Sequence, residues 1–123
     1  MLTCRVHPGE TSASFGLEGF IRKLLDCSAE SEFLRRSFVF LVVPMLNPDG
    51  VYHGTYRMDT YGHNLNRFYN GCAPHKQPSI FGVQALIQHH SEDIVAYFDI
   101  HSHPALKGSF FYGNAFPNLI DQI

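Results

Sequence analysis

Two apolar runs constrain the fold of this chain more than any other feature. Residues 38–43 (FVFLVV) are closed by Pro44, and residues 94–100 (IVAYFDI) end at His101. Continuous runs of β-branched and aromatic residues are typical of strands that are buried on both faces, as in parallel or mixed sheets covered by helices. We therefore predict two interior strands whose faces are both covered.

The segments around these runs predict helices and further short strands. Residues 2–6 predict a strand that stops at a His-Pro-Gly turn, and Thr11 or Ser12 could cap a helix after it. A second short helix is predicted over 28–36, and Pro78 opens another that runs to about Ser91. A further short strand is predicted over 109–112. This alternation of strands and helices indicates an α/β layer fold.

Two regions carry turn and loop signals instead. Residues 47–50 (NPDG) predict a turn, and residues 51–78, rich in Gly, Asn, Tyr and His, predict a long loop region of the kind that is often functional. Large aromatic side chains elsewhere are the core candidates: Phe38, Phe40, Phe81, Phe98, Phe110 and Phe111.

Composition and charge exclude several classes of protein. The 123 residues are 45% hydrophobic and 16% charged, which suits a single domain that can bury a core. The net charge is −2 and no Lys/Arg run occurs, so neither nucleic acid nor an anionic membrane is an expected partner. No apolar run is long enough for a transmembrane helix.

The cysteines and the N-terminal residues predict a cytoplasmic location. Cys4, Cys27 and Cys72 are odd in number and widely spaced, which is typical of reduced thiols in an intracellular protein. The first residues do not resemble a signal peptide, because polar residues interrupt the apolar stretch from Arg5 onward.

Three residues could form a metal site at the carboxyl ends of two strands. His7 follows the first predicted strand, Glu10 lies three residues later, and His101 follows the 94–100 strand. Functional groups gather at this edge of open α/β sheets, and two imidazoles with one carboxylate are the ligand set of a catalytic zinc site. An HxxE pair alone also fits a solvated turn, so other motifs must decide. His103, two residues after His101, is not counted as a ligand.

Two loop arginines suit the binding of an anion. Arg57 and Arg67 lie in the long loop region, the second beside Asn66. A guanidinium has a fixed fork of donors that matches a carboxylate, so it could hold an anionic chain end. Taken singly, either arginine could be an ordinary solvated charge.

Six motifs together carry a resemblance to a known family. In order along the chain they are HPGE (7–10), NPDG (47–50), YRMDT (56–60), NLNR (64–67), DIHSH (99–103) and FYGNAF (111–116). This series resembles the cytosolic carboxypeptidase branch of the M14-type zinc carboxypeptidases, which includes enzymes that remove glutamate from tubulin tails. The resemblance covers about residues 3–116. It implies a partial α/β/α sandwich around a mixed, mostly parallel β-sheet.

The resemblance also implies a role for each matching residue. His7, Glu10 and His101 match the ligands of one Zn²⁺ per chain. Arg57 matches the arginine that polarises the scissile carbonyl and stabilises the oxyanion. Asn66 and Arg67 match the pair that holds the terminal carboxylate of the substrate.

Asn64 matches a position outside the ligand set, where pancreatic-type relatives have Asp and the cytosolic branch has Asn. An Asn can still accept a hydrogen bond from a ligating His, but it polarises the ring less than a carboxylate would.

The resemblance leaves part of the family's machinery without a counterpart in this chain. The family's general base is a glutamate well downstream of the third ligand, whereas Ile123 lies only 22 positions after His101 (101 to 123). The amino-terminal β-domain of the cytosolic branch is also missing. We therefore expect residues 1–123 to be an incomplete catalytic domain, with marginal stability and little turnover alone.

The function implied is a zinc-dependent exopeptidase acting on the C-terminal tails of proteins or peptides, with glutamates and tubulin as the candidates from the cytosolic branch. Two alternatives remain open. One is a non-catalytic remnant that binds zinc or peptide, and the other is an aspartoacylase-like zinc amidohydrolase, which shares the HxxE and the later His. The NPDG and FYGNAF segments favour the carboxypeptidase.

Overall fold

A computed structural model describes residues 1–113, in which three short parallel strands form one sheet. The strands are β1 (Leu2–Cys4), β2 (Val42–Val43) and β3 (Phe98–Ile100), in the spatial order β2-β1-β3. Within the described residues, four helices accompany them: α1 (Thr11–Leu24), α2 (Ala29–Ser37), α3 (Pro48–Tyr52) and α4 (Pro78–His89). A single 3₁₀ turn, Leu65–Arg67, lies within the long loop region.

Apolar side chains pack on both faces of the sheet around its central strand β1, whose three residues are all buried. One cluster joins β1 to α1 through Leu2, Cys4, Ala13 and Leu17. A second joins the segment after β1 to α4, through Val6, Leu46, Leu65, Ile80 and Val83. Adjacent residues of β2 pack against different clusters, and successive strand residues point to opposite faces. The predicted α/β/α layering is confirmed, and every strand pairing among residues 1–113 is parallel.

The two apolar runs, however, are not interior strands. Only 42–43 and 98–100 pair in the sheet, and the flanking Val39 is 89% exposed while Phe98 within β3 is 47% exposed. The reason is the strand order: β1 lies in the centre, so β2 and β3 are the edges of the described sheet. The prediction that both faces of these runs are covered was wrong.

The aromatic core prediction was also largely wrong, and of the exposed candidates only Phe98 lies in an edge strand. Phe40 is partly buried and packs against Phe20, with ring centroids 6.0 Å apart. The other five candidates are exposed: Phe38, Phe81, Phe98, Phe110 and Phe111. Residues 109–112 do not form the predicted strand, and positions 114–116 of the FYGNAF motif lie outside the described residues.

The helices agree with the sequence-based predictions better than the strands do, although the cap of α1 differs from the one predicted. Helix α2 begins after Ser28, whose side chain accepts a hydrogen bond from the Ser31 amide, and α4 begins at Pro78 as predicted. The residue before α1 is Glu10, not Thr11 or Ser12. None of the helices described in 1–113 is long and apolar enough to cross a membrane.

Candidate metal centre

Three side chains from separate parts of the chain converge at the carboxyl end of the sheet. His7 Nδ1 lies 2.7 Å from Glu10 Oε1, and His101 Nδ1 lies 3.1 Å from the other oxygen, Oε2. One ligand atom from each residue lies within 4.8 Å of the other two. The side chain of His7 is 4% exposed, that of Glu10 14% and that of His101 29%. The group is therefore shielded but reachable from solvent.

The donor set fits a divalent metal ion. Both imidazoles turn Nδ1 toward the same carboxylate, so two nitrogen lone pairs and carboxylate oxygens face one point. Two His and one Glu match the composition of catalytic zinc sites, which leave a fourth position open. Among the described residues, no other group of three or more His, Cys, Asp or Glu side chains comes this close together. His103 lies outside the group, and its Nδ1 accepts from the amides of Ala105 and Leu106.

The second nitrogen of each imidazole has its own partner. His7 Nε2 lies 3.0 Å from Asn64 Oδ1, and His101 Nε2 lies 2.7 Å from Asp99 Oδ2. An Nε2–H donated to these acceptors leaves Nδ1 with a free lone pair toward Glu10. The contact of Asn64 agrees with the role that the resemblance implies. The hydrogen bond to Asp99 raises the pKa of His101 above its ordinary value, although partial burial of the ring opposes this.

A buried arginine holds the turn that carries His7 and Glu10. Arg5 is 8% exposed and has a φ of 55°, so the chain changes direction directly after β1. Its Nε and Nη2 donate to the Pro8 carbonyl at 3.2 and 2.7 Å, and its Nη1 donates to Ser14 Oγ at 2.7 Å. These bonds tie the turn to α1, so His7 and Glu10 lie on one hydrogen-bonded segment.

The NPDG segment supports the same turn from outside. It is not an isolated turn, as predicted, but the start of α3, where Asn47 Oδ1 accepts from the Gly50 amide at 2.9 Å. Gly50 is buried against Pro8: a Cβ atom built on Gly50 would lie 2.5 Å from Pro8 Cγ. The glycine therefore permits close contact between α3 and the candidate metal-binding turn, residues 7–10.

The predicted carbonyl-polarising residue is connected to this turn through its neighbour. The Gly9 amide donates to the Tyr56 carbonyl at 2.7 Å, next to Arg57. Arg57 is half-buried, and none of the ion pairs within residues 1–113 involves it. Its charge is thus not neutralised by a described carboxylate.

The predicted chain-end clamp lies on the 3₁₀ turn and is linked to His7 through Asn64. Asn64 Oδ1 accepts from the Asn66 amide at 3.1 Å as well as from His7. Arg67 is exposed, and its Nη1 donates to the Asn66 carbonyl at 3.1 Å. One amide oxygen therefore joins a candidate metal ligand to the segment predicted to bind a carboxylate.

Comparison with known sequences decides the family. A sequence model described as zinc carboxypeptidase matches residues 1–118, nearly the whole chain. The chain belongs to the zinc carboxypeptidase family. The resemblance seen in the motifs is confirmed, and the family match favours a carboxypeptidase over the aspartoacylase-like alternative.

Relatives of this zinc carboxypeptidase chain include named cytosolic enzymes and solved structures. It is 42% identical to bovine (Bos taurus) cytosolic carboxypeptidase 3 over 115 residues, which cover 92% of the chain and 12% of that protein. It is 42% identical to cytosolic carboxypeptidase 6 of Mus musculus over 119 residues, 94% of the chain and 22% of that protein. A metallo-carboxypeptidase from Burkholderia cenocepacia matches in structure with a TM-score of 0.76 and 31% identity, over 85% of the chain and 28% of its own.

These matches confirm the fold class, because the structural neighbour shares both the fold and a third of the sequence. The chain spans about a tenth to a quarter of the length of these curated relatives. What those whole proteins do can therefore be carried to this chain as a proposal.

Sequence reasoning missed one residue of this site, Asp99. The DIHSH motif contains it, but no role was assigned to it. The signal was available in the strand period, since residues two apart on a strand point to the same face, which places Asp99 beside His101.

Proposed function

We propose that this chain carries the zinc site and the substrate-binding groups of a metallocarboxypeptidase that removes C-terminal residues from proteins or peptides. The observation that carries the proposal is the convergence of His7, Glu10 and His101 within 4.8 Å. Family membership supports the assignment of zinc, and the two imidazoles and one carboxylate are chemically suited to hold it. One Zn²⁺ per chain is proposed.

The proposed metal supplies Lewis acidity: when bound, zinc polarises a carbonyl and lowers the pKa of water to about 7. The side chains of the protein would position the metal and the substrate. His7, Glu10 and His101 hold the ion. Arg57, whose guanidinium has no ion-pair partner among residues 1–113, would donate to the scissile carbonyl oxygen as negative charge develops there.

Exopeptidase specificity is assigned to Asn66 and Arg67. The guanidinium of Arg67 is exposed, and the amide of Asn66 lies on the same 3₁₀ turn. A terminal carboxylate could accept from both side chains, which would fix the last residue of a peptide relative to Arg57. A peptide without a free carboxylate would lose these contacts.

Residues 1–123 are proposed to have little turnover of their own. The general base of the family has no counterpart that can be located in residues 1–123, and such a base contributes typically about 10² to 10⁴ in rate. The small number of buried apolar side chains, ten among the described residues, is consistent with marginal stability. A non-catalytic protein that binds zinc or peptide ends is the second candidate, because all proposed binding groups are present without that base.

The substrates and location are proposed from the relatives' names. Matches named cytosolic carboxypeptidases support action in the cytoplasm on C-terminal tails. Removal of glutamate, and tubulin as the protein acted on, follow from the resemblance to the cytosolic branch. The exposed side chain of Arg67 is proposed to bind a terminal carboxylate of any C-terminal residue.

Metal analysis of the purified chain tests the proposal. We expect about one zinc per chain after dialysis, measured by mass spectrometry of the metal, and loss of that zinc in His101→Ala. His103→Ala is the matched control, because His103 lies two residues away but its Nδ1 accepts only from backbone amides, and it should retain zinc. A wild-type chain that holds no zinc, or a His101→Ala chain that holds as much, would contradict the proposed site.

Turnover is tested separately. The zinc-loaded chain would be incubated with peptides ending in glutamate or in an aliphatic residue, and release of the last residue would be followed by chromatography. We expect almost none. Robust turnover would refute the claim that residues 1–123 lack a working general base.

A further inference from the structure

We propose that Asp99 is a positioning residue that orients His101 toward the metal, and that Thr3 in the central strand holds Asp99 in place for this task. The inference rests on the proposed zinc site, and it assigns a function to two residues outside the ligand set. Neither residue would touch the metal or the substrate.

The imidazole of His101 is held from both ends. Its Nε2 lies 2.7 Å from Asp99 Oδ2, and its Nδ1 lies 3.1 Å from Glu10 Oε2. Because Asp99 accepts a hydrogen bond from Nε2–H, it favours the tautomer of His101 in which Nδ1 carries no proton and has a free lone pair. A carboxylate in this position both fixes the ring and makes the ligating nitrogen more basic.

Asp99 is itself anchored by the sheet. The parallel pairing of β1 with β3 places Thr3 directly opposite Asp99. Thr3 is fully buried, and its hydroxyl donates to Asp99 Oδ1 at 2.7 Å. The two carboxylate oxygens of Asp99 therefore have separate partners, and the side chain cannot rotate without loss of one of them.

A tyrosine completes this arrangement behind Thr3. The Tyr97 hydroxyl lies 2.9 Å from Thr3 Oγ1. A threonine hydroxyl has one proton, and Thr3 uses it toward Asp99, so Tyr97 must donate to Thr3. Every donor in the series then points toward the carboxylate: Tyr97 to Thr3, and Thr3 and His101 to Asp99.

The two proposed histidine ligands are therefore unequal. His7 donates to the neutral amide of Asn64, whereas His101 donates to a carboxylate. The side chain of His101 is 29% exposed against 4% for His7, so packing restrains His101 less. The stronger partner lies behind the less buried ligand, where a restraint on the ring matters most.

Zinc affinity of matched variants tests the inference, measured by competition with a chromophoric chelator. Asp99→Asn keeps the shape and loses the charge, and we expect affinity to fall about tenfold. Asp99→Ala also removes the hydrogen bond that restrains the His101 ring. Its zinc affinity should fall about 10- to 100-fold, the range found when hydrogen-bond partners of metal ligands are removed. The zinc affinity of Thr3→Val should fall by less than that of Asp99→Ala. Asp93→Asn, an exposed carboxylate before β3, is the control and should match wild type.

A spectroscopic readout separates positioning from general loss of structure. With Co²⁺ in place of zinc, the visible absorption bands report the geometry of the ligands. We expect Asp99→Ala and Thr3→Val to shift these bands, while far-ultraviolet circular dichroism stays unchanged. If Asp99→Ala does not fold, Asp99→Asn decides, since it preserves the volume and one acceptor.

The outcomes distinguish this inference from the proposed function. If His101→Ala loses zinc while Asp99→Asn and Asp99→Ala bind it as wild type does, the zinc site stands and the role of Asp99 is refuted. If the wild-type chain binds no zinc, both fall together. A graded loss across the Asp99 and Thr3 variants, with Asp93→Asn unchanged, supports the inference.

Discussion

Replacement of Gly50 by alanine should destabilise the chain, although the same change usually stabilises a helix. Gly50 lies inside α3, and a Cβ atom there would lie 2.5 Å from Pro8 Cγ and 2.7 Å from Asn47 Oδ1. Real Cβ atoms do not approach other atoms this closely, so α3 or the metal-binding turn must move. Both neighbours are themselves constrained: Asn47 is 2% exposed and caps α3, and Pro8 is held by Arg5.

The expected magnitude is the difference between two opposing effects. Alanine gains about 0.5–1 kcal/mol over glycine in a helix because it loses less backbone entropy on folding. An added methyl group in a tightly packed place costs about 1–3 kcal/mol. Taking the middle of each range, we expect Gly50→Ala to lower the free energy of unfolding by about 1 kcal/mol.

Gly16→Ala is the matched control for this change. Gly16 lies inside α1, and no atom outside its own helix and neighbours would lie within 4 Å of an added Cβ. With no packing cost, this variant should gain about 0.5–1 kcal/mol. The free energies of unfolding would be measured by urea denaturation under identical conditions.

Zinc affinity provides a second readout of the same reasoning. Because Pro8 lies next to His7, displacement of the turn should weaken metal binding in Gly50→Ala and leave it unchanged in Gly16→Ala. If Gly50→Ala is as stable as Gly16→Ala and binds zinc normally, the close packing of α3 on the turn is not a constraint, and the NPDG motif does not support the metal-binding turn.

Three further predictions concern other parts of the chain. The hydroxyl of Ser28 and the ammonium of Lys23 lower the pKa of Asp26 below its ordinary value, so the ionised carboxylate stabilises the fold above the unfolded-state pKa and this stabilisation fades as the pH falls below it. Asp26→Asn should therefore lower the melting temperature at pH 7, and by progressively less as the pH falls below about 4. Burial raises the pKa of the Cys4 thiol, so iodoacetamide should modify the exposed Cys27 before Cys4. Peptide mapping would measure the order, and faster modification of Cys4 would contradict the fold. Asp59 Oδ1 accepts hydrogen bonds from two backbone amides, at 2.7 and 2.9 Å. Asp59→Ala should therefore lower the free energy of unfolding, measured with urea, by about 1–3 kcal/mol and speed proteolysis of the surrounding loop. An unchanged cleavage rate would argue against this restraint.

Some features of the fold follow from residues close together in the chain. The short helix predicted over 28–36 and the start of α4 at Pro78 agree with the structure, because both depend on neighbours within a turn of helix. The composition of the candidate metal site was predicted from the placement of His7 and His101 after apolar strands. These signals are local, so the sequence is sufficient to read them.

Burial and contact across the sheet could not be read in this way. The run at 38–43 has the composition of an interior strand, yet only residues 42–43 pair in the sheet, as the edge strand β2. Val39 lies before β2 and is 89% exposed. Strand order depends on which segments pair, and an apolar run has the same composition at the centre of a sheet as at its edge.

The sequence by itself determined the residues available for the site: two histidines, one glutamate and the arginines and asparagines of the long loop. Only the tertiary structure placed Thr3 opposite Asp99, 96 positions away, and Gly50 against Pro8. The register between two strands and the contact between a helix and a turn are set by packing among distant segments. The residues near Asp99 in the sequence do not indicate which side chain will lie opposite it in the sheet.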